Sequence, residues 1–310
     1  MDNTGHQMLF IGHISLDAIK NIWGDHNQLG GAALYASFGA RVLSDNVKII
    51  SAIGKDFKEY DLLKDFFKGS LIKRVNSNST AFCISYDDRF VATYNTVKLG
   101  AGAFIMVNDL PGHWIKKNTY VHLAPIRPAK AERFLKRIKK ISPETWVSLN
   151  SSLTYLTNRE NKKILKRMML EVDLTILNEQ EAMLLAETTS LTYAVNTIKA
   201  KRLAVTLGHI GAIIIENNKI QLIPALSGLT VTPKDTTGAG DTWCGSLLAA
   251  YIQTKDWTKS VVAACLVSAV KCLGWNFEKI RDLKFNNLEE IAVHVLRLSQ
   301  KTSQSTLKDF

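Results

Sequence analysis

Continuous apolar runs alternate with helical patterns over most of the chain. The runs fall at 8–12, 47–53, 119–124, 145–150, 173–177 and 202–207, and each reads as a strand. Helical patterns lie between them, at 31–44, 56–68, 129–141, 159–170 and 178–200, the last with a break near 188. Strands that are apolar throughout and separated by helices predict a mainly parallel sheet covered on both faces, the α/β class. After 207 the rhythm changes. Ala212 to Glu216 and Lys219 to Ile223 flank Asn217-Asn218, a hairpin signal. Helices are expected at 238–253, 256–273 and 287–302, followed by a frayed end.

Two segments break this pattern. Residues 79–107 alternate apolar and polar without a helical period: Phe82, Ile84 and Tyr86, then Phe90, Ala92 and Tyr94. Alternation of this kind predicts antiparallel strands with one solvated or ligand-facing side. Residues 14–30 also lack a helix. Together they predict a small sheet over the carboxyl ends of the main strands, where open α/β sheets bind ligands. There is no linker, repeat or low-complexity tract, so one domain over 1–310 is expected, with lid segments inserted at 14–30 and 79–107.

Composition narrows the partners. Hydrophobic residues make up 46% of the 310 and charged residues 22%, the balance of a globular protein. No apolar run approaches the roughly 18 residues that span a bilayer. Residues 1–7 lack a basic region, so no signal peptide is expected. Cys83, Cys244, Cys265 and Cys272 form neither CxxC nor metal-ligand spacing, and read as reduced thiols of a cytoplasmic protein. The net charge of +11 is spread over predicted helices as solvated lysine faces, without interleaved exposed aromatics. Neither a nucleic-acid nor a membrane partner is expected; the field favours an anionic nucleotide.

The chemistry concentrates at 234–247, Lys-Asp-Thr-Thr-Gly-Ala-Gly-Asp-Thr-Trp-Cys-Gly-Ser-Leu. Gly238-Ala239-Gly240 opens directly into an apolar helical run. The first N–H groups of a helix lack internal partners, and small residues let an anion approach them. Asp241 at the same place is a poor phosphate ligand but a fitting base for an attacking hydroxyl. Phosphate cradle plus adjacent base is the minimal equipment of a small-molecule kinase. Asp17, just past the first strand, suits two hydroxyls of a polyol, or caps a local loop. Gly30-Gly31 permits close approach to a helix start, or is a plain turn. Asn178 and Glu181 have the spacing of a capping box. Thr206, Gly208 and Gly211 end a strand where a ligand or a simple turn would account for the glycines. Arg89 falls in the presumed lid, as a substrate contact or an exposed arginine.

Asp235 to Asp241, with Trp243, Gly245 and Ser246, resembles the C-terminal signature of the ribokinase (PfkB) family of carbohydrate kinases. The resemblance implies a ribokinase-like α/β fold with a small β-sheet lid that excludes water. It also implies transfer of the γ-phosphoryl group of ATP to a hydroxyl of a small sugar, polyol or nucleoside. Asp241 would be the general base, and Gly238, Ala239 and Gly240 a backbone anion hole. Asp17, Gly30, Gly31, Arg89 and Asn150 would face the acceptor. Asn178, Thr206, Gly208 and Gly211 would lie against the nucleotide, and Glu181 would order Mg²⁺ through water. Asp235 and Thr237 match positions that bind a monovalent cation, K⁺, in several relatives. The lid offers a surface for a homodimer. Tyr35 stands where the family has Asn, and Asn150 where sugar-kinase relatives show Asp. Free sugars, cyclic polyols such as myo-inositol and nucleosides therefore all remain candidate acceptors. The alternative from another class is a catalytically silent nucleotide-binding regulator.

Overall fold

The computed structural model describes residues 5–225 and 232–306. In chain order the first half runs β1 (Gln7–Ile11), β2 (Ser15–Asn21), β3 (Gly24–Gly30), α1 (Ala32–Arg41), β4 (Val47–Ile53), α2 (Tyr60–Phe66), β5 (Leu71–Arg74), β6 (Thr80–Tyr86), β7 (Ala92–Lys98), β8 (Thr119–Leu123), α3 (Pro128–Ile141) and β9 (Trp146–Asn150). The second half runs α4 (Leu153–Leu156), α5 (Arg159–Glu171), β10 (Leu174–Asn178), α6 (Glu179–Ala186), α7 (Leu191–Thr197), β11 (Arg202–Thr206), β12 (Gly211–Glu216), β13 (Lys219–Pro224), α8 (Ala239–Thr254), α9 (Trp257–Cys272) and α10 (Leu288–Thr306). The fraying expected at the C-terminus falls partly at 307–310, outside the described residues.

Nine strands form the main sheet in the order β13-β12-β11-β10-β9-β8-β1-β4-β5. Every pairing from β11 to β5 is parallel, and the β11-β12-β13 end is antiparallel. The continuous apolar runs arise because both faces are covered. Met8 and Phe10 of β1 pack with α1 and α8 on one side, while Leu9 and Ile11 pack with Phe134 of α3 and Leu165 of α5 on the other. Helices α1 and α8 approach closely: a Cβ at Gly245 would lie 1.7 Å from the Ala36 carbonyl oxygen. That contact sets where the first turn of α8 stands.

A separate four-stranded sheet has the order β3-β2-β6-β7. Its hairpins β2-β3 and β6-β7 are antiparallel, but β2 and β6 join them in parallel. The wholly antiparallel flap read from the alternation is thus two hairpins side by side. The strand pattern also ends earlier than 107. Past Lys98 the chain turns through 3-10 segments at Gly100–Phe104 and Val107–Asp109, where Ala101 and Ile105 are buried in the main core. Main-core packing overrides the local alternation there.

Other differences are local. The helix expected at 56–68 is only Tyr60–Phe66, because Asp56 is committed to Ser79, accepting from its N–H and hydroxyl. The helical pattern at 178–200 breaks at Glu187, which takes φ 58, and restarts after a Ser190 cap. Among the described residues no helix is long and apolar enough to cross a membrane.

Candidate active site

The site is organised by the loop that leads into α8. Asp235 Oδ1 accepts the Thr237 N–H at 2.8 Å. The Thr236 carbonyl accepts the Ala239 N–H at 3.1 Å, and the Gly238 carbonyl accepts the Thr242 N–H at 2.8 Å. Gly238 caps the helix with φ 71, and a Cβ there would strike the Tyr35 ring at 2.2 Å, so only glycine fits. The N–H groups of Gly238, Gly240 and Asp241 have no partner among the described residues. They are the donors this helix start presents. Ala239, grouped with them on sequence grounds, has its N–H engaged inside the turn.

Asp241 lies in the first turn of α8, half-buried. Its Oδ1 accepts from Asn150 Nδ2 at 3.0 Å, at the carboxyl end of β9. Burial pushes the Asp241 carboxyl up to about 6, against the Asn150 hydrogen bond. Behind Asn150, His122 is held down to about 4 by burial, hence neutral, with Nδ1 2.9 Å from Ser148 Oγ.

The next strand end brings Asn178 and Glu181. Asn178 Oδ1 accepts the Glu181 N–H at 2.8 Å, and Glu181 Oε2 accepts the Asn178 N–H at 2.9 Å, a complete capping box. Glu181 is buried; this pushes its carboxyl up to about 8, and the charge of Asp241 adds to the effect. Thr206 is the register partner of Asn178 across β10-β11. Gly208 follows in an exposed 3-10 turn with open space around it. Gly211 is needed for a different reason: a Cβ would lie 2.1 Å from the Ile223 carbonyl oxygen of β13.

The small sheet supplies the opposite wall. Asp17 on β2 is buried against Gly30, where a Cβ would lie 1.8 Å from Asp17 Oδ2. Burial pushes this carboxyl up to about 7, and Oδ1 has no hydrogen-bond partner among the described residues. Gly31 caps α1 at φ 100, tight against the His13 carbonyl. Tyr86 reaches across from β6, its hydroxyl 2.9 Å from Thr237 Oγ1. The Tyr94 hydroxyl is pushed up to about 12, first by desolvation and then by the charges of Asp241, Asp17 and Glu181, although its side chain is 49% exposed. A cleft of about 750 Å³ runs along the small-sheet side, lined by Asp17, Gln28, Phe82, Trp275 and Arg281; Asp241 does not line it.

Arg89 stands apart. It is exposed in the β6-β7 turn, its backbone N–H donating to Asp87, and it bonds none of the other candidate residues among those described. Tyr35 is 1% exposed, beneath the Gly238 turn and edge-on to Phe277, so it is a core residue. Asp235 and Thr237 lie behind the turn, both buried; the Lys271 ammonium is 3.1 Å from Asp235 Oδ2.

A model of the pfkB family carbohydrate kinases matches residues 22–274, which contain the α8 turn, the Asn178–Glu181 box and most of the small sheet. The chain belongs to this family. It is 26% identical over 210 residues to the fructokinase of Vibrio alginolyticus, covering 64% of this chain and 66% of that protein's length. Among solved structures it is similar to the nucleoside kinase of Burkholderia thailandensis in complex with inosine, with TM-score 0.75, 18% identity, and coverage of 93% and 95% of the two chains. The ribokinase of Giardia lamblia is as similar, with TM-score 0.75, 18% identity, and coverage of 93% and 99%. These two likenesses show the ribokinase-like fold. Members of the family are phosphotransferases with an alcohol group as acceptor.

Several residues of this pfkB chain's site escaped the sequence reading. Gln28 Nε2 donates to Asp235 Oδ2 from 207 residues away, a partnership no local pattern carries. Asn276 donates its N–H to the same oxygen, although Gly274-Trp275-Asn276 shows no recognisable cation motif. Lys271 did leave a signal: it is a lone cation in the apolar run Val267-Ser268-Ala269-Val270-Lys271-Cys272, and a lysine there demands a partner.

Proposed function

We propose that the chain is an ATP-dependent kinase that transfers the γ-phosphoryl group to a hydroxyl of a small sugar, polyol or nucleoside. One observation carries this reading: unpartnered N–H groups at the start of α8 stand beside a carboxylate held by a single donor, Asn150. Asp241 takes the acceptor's hydroxyl proton as its oxygen bonds to the γ-phosphorus, and the bond from that phosphorus to the bridging β–γ oxygen breaks to release ADP. Charge developing on the transferred group is met by the Gly238, Gly240 and Asp241 N–H donors and the helix dipole. A carboxyl raised to about 6 is ionised near neutral pH yet remains an effective proton acceptor. Asp17 holds an acceptor hydroxyl on its unpartnered Oδ1, with Gly30 and Gly31 allowing the approach.

Glu181 and Asp241 are two raised carboxylates, Glu181 partly through the charge of Asp241. This donor set fits Mg²⁺ held mainly by phosphate oxygens and water, with Glu181 ordering that shell. When bound, the ion would neutralise charge on the β- and γ-phosphates. Asn178, Thr206 and Gly208 line the nucleotide side of these carboxylates. Tyr35, being in the core, does not favour any acceptor, so sugars, cyclic polyols and nucleosides stay equal candidates. The small sheet would close over the acceptor. Its exposed Trp23, Val91 and Val97 offer the surface for a homodimer, which light scattering tests.

A coupled ADP-release assay over sugars, polyols and nucleosides tests the activity. At least one acceptor should give ADP and phosphorylated product in equal amounts. ATP binding with no turnover on any of the three classes would instead make the chain a silent nucleotide binder.

A further inference from the structure

Asp235 has no exposed surface, and all three of its oxygens are taken. Oδ1 accepts the Thr237 N–H at 2.8 Å. Oδ2 accepts from Gln28 Nε2 at 3.0 Å, the Asn276 N–H at 3.1 Å and Lys271 Nζ at 3.1 Å. The main-chain oxygen accepts from Lys271 Nζ at 2.8 Å. Thr237 Oγ1 is engaged by the Tyr86 hydroxyl at 2.9 Å. Lys271 also has no exposed surface, and its ammonium lies 5.3 Å from the centroid of the Tyr35 ring. A potassium ion at Asp235 would sit beside a fixed ammonium with little water between them, where like charges repel strongly. The residues at Asp235 therefore do not fit the monovalent cation that the family resemblance implies.

We propose that the Lys271 ammonium takes that cation's place, as a positioning residue that makes phosphoryl transfer independent of potassium. An ammonium carries the same unit charge, and here it touches both the carboxylate and the main chain of Asp235. The backbone completes the link. The Cys272 carbonyl accepts the Lys234 N–H at 2.7 Å and the Asp235 N–H at 3.3 Å, so the end of α9 is fastened to the start of the turn. Asp235 then fixes Thr237, and the next residue is the Gly238 cap. Lys271 thus acts on the donors at the start of α8 through Asp235, without touching substrate. This role rests on the kinase reading above. Three buried oxygens nearby have no partner among the described residues: Gln28 Oε1, Thr236 Oγ1 and Asn276 Oδ1. Their use by potassium is the outcome that overturns the proposal.

The test begins with the unaltered protein in potassium, sodium and tetramethylammonium chlorides at equal ionic strength. Turnover should agree within about twofold across the three salts, and potassium should leave the melting midpoint where tetramethylammonium leaves it. Activation by potassium of about tenfold or more, or a potassium-specific rise of the midpoint, overturns the proposal. Lys271→Met then removes the ammonium and keeps the apolar stem. Its kcat should fall by about tenfold or more with little change in acceptor KM, and potassium or ammonium chloride should restore part of the loss while tetramethylammonium restores none. A folded Lys271→Met protein with full kcat in tetramethylammonium removes the role. Should that variant fail to fold, the salt series on the unaltered protein decides. Should no acceptor be phosphorylated at all, the kinase reading fails, and the melting series still decides whether Asp235 takes up potassium.

Discussion

Asp235 and Asp241 stand at the two ends of one glycine turn, and the fold treats their charges oppositely. Asp235 has no exposure, yet its carboxyl lies below the ordinary range: burial pushes it up, but the Lys271 ammonium and hydrogen bonds from Thr237 and Gln28 outweigh that. Asp241 is raised to about 6, because desolvation is opposed by only one side-chain donor, Asn150. Both carboxylates are desolvated, and the number of donors set against that desolvation separates their charge states. One carboxylate is satisfied and holds the loop. The other is left under-satisfied, and so are its neighbours Glu181 and Asp17, raised to about 8 and about 7. Undercompensated carboxylates are costly in a resting fold and useful where substrate and cation arrive.

The sharpest way to break the contrast is to neutralise each carboxylate in turn. Asp241→Asn should lower kcat by about 10²–10⁴-fold, the contribution expected of a general base. Its melting temperature should stay the same or rise, since the change removes a desolvated carboxylate. Near-normal turnover by that folded variant would falsify the base assignment. Asp235→Asn should act first on stability. It leaves the Lys271 ammonium buried without a charge partner, which costs about 3–5 kcal/mol in comparable buried pairs. Denaturant melts read that loss directly. If instead Asp235→Asn is as stable as the parent, the ion pair with Lys271 is not what holds the turn.

A second tier of effects lies in pH. In the proposed mechanism Asp241 works ionised, so kcat/KM should rise with pH through about 6 and fall about tenfold per unit below it. Glu181→Gln keeps the capping box, and because Glu181 is raised to about 8 and already protonated across this limb, the limb should stay near 6. Asn150→Asp sets a like charge beside Asp241, and the limb should move up. Stability has a defined sign too. The folded pKa values of Asp17, Asp241 and Glu181 are raised above the ordinary carboxylate range, so the folded state holds protons that the unfolded state releases. Their contribution to stability is greatest at acid pH and falls as pH rises from about 4 to about 8. A double variant, Asp241→Asn with Glu181→Gln, should flatten that slope; an unchanged slope would mean these two carboxyls are not the titrating groups.

How much of this was legible in the chain follows the same division. The main strands were readable because burial on both faces makes them apolar throughout, and the helices because they cover that sheet. β5 escaped because it is four residues long with only Ile72 buried. The side of the turn proposed to work on substrate needs only local reading: Gly238 to Asp241 is a contiguous string, and its proposed chemistry depends on local backbone geometry. The support side was not legible. Gln28, Tyr35, Asp235, Lys271 and Asn276 meet only because β3, α1 and α9 converge behind α8, and contacts across such separations leave no periodic trace. Asn150 read as a departure from the family at a substrate position, yet here its amide is the donor to Asp241.

Tyr35 gives the smallest effect and the finest test. It occupies a position that sequence comparison assigns to acceptor binding, but its ring fills the space beneath Gly238 and its hydroxyl accepts from Gln28 Nε2 at 3.0 Å. Gln28 in turn donates to Asp235, so Tyr35 belongs to the satisfied side of the turn. Tyr35→Phe keeps the ring and removes that acceptor, together with the hydroxyl's long 3.5 Å bond to the Leu29 carbonyl. The loss should be about 0.5–1.5 kcal/mol of stability, the net worth of one buried hydrogen bond. Relative kcat/KM among sugars, polyols and nucleosides should not change, because a side chain 1% exposed cannot touch the acceptor without reopening the core. A changed acceptor ranking at unchanged stability would move Tyr35 to the working side, and the division between the two ends of the turn would have to be redrawn.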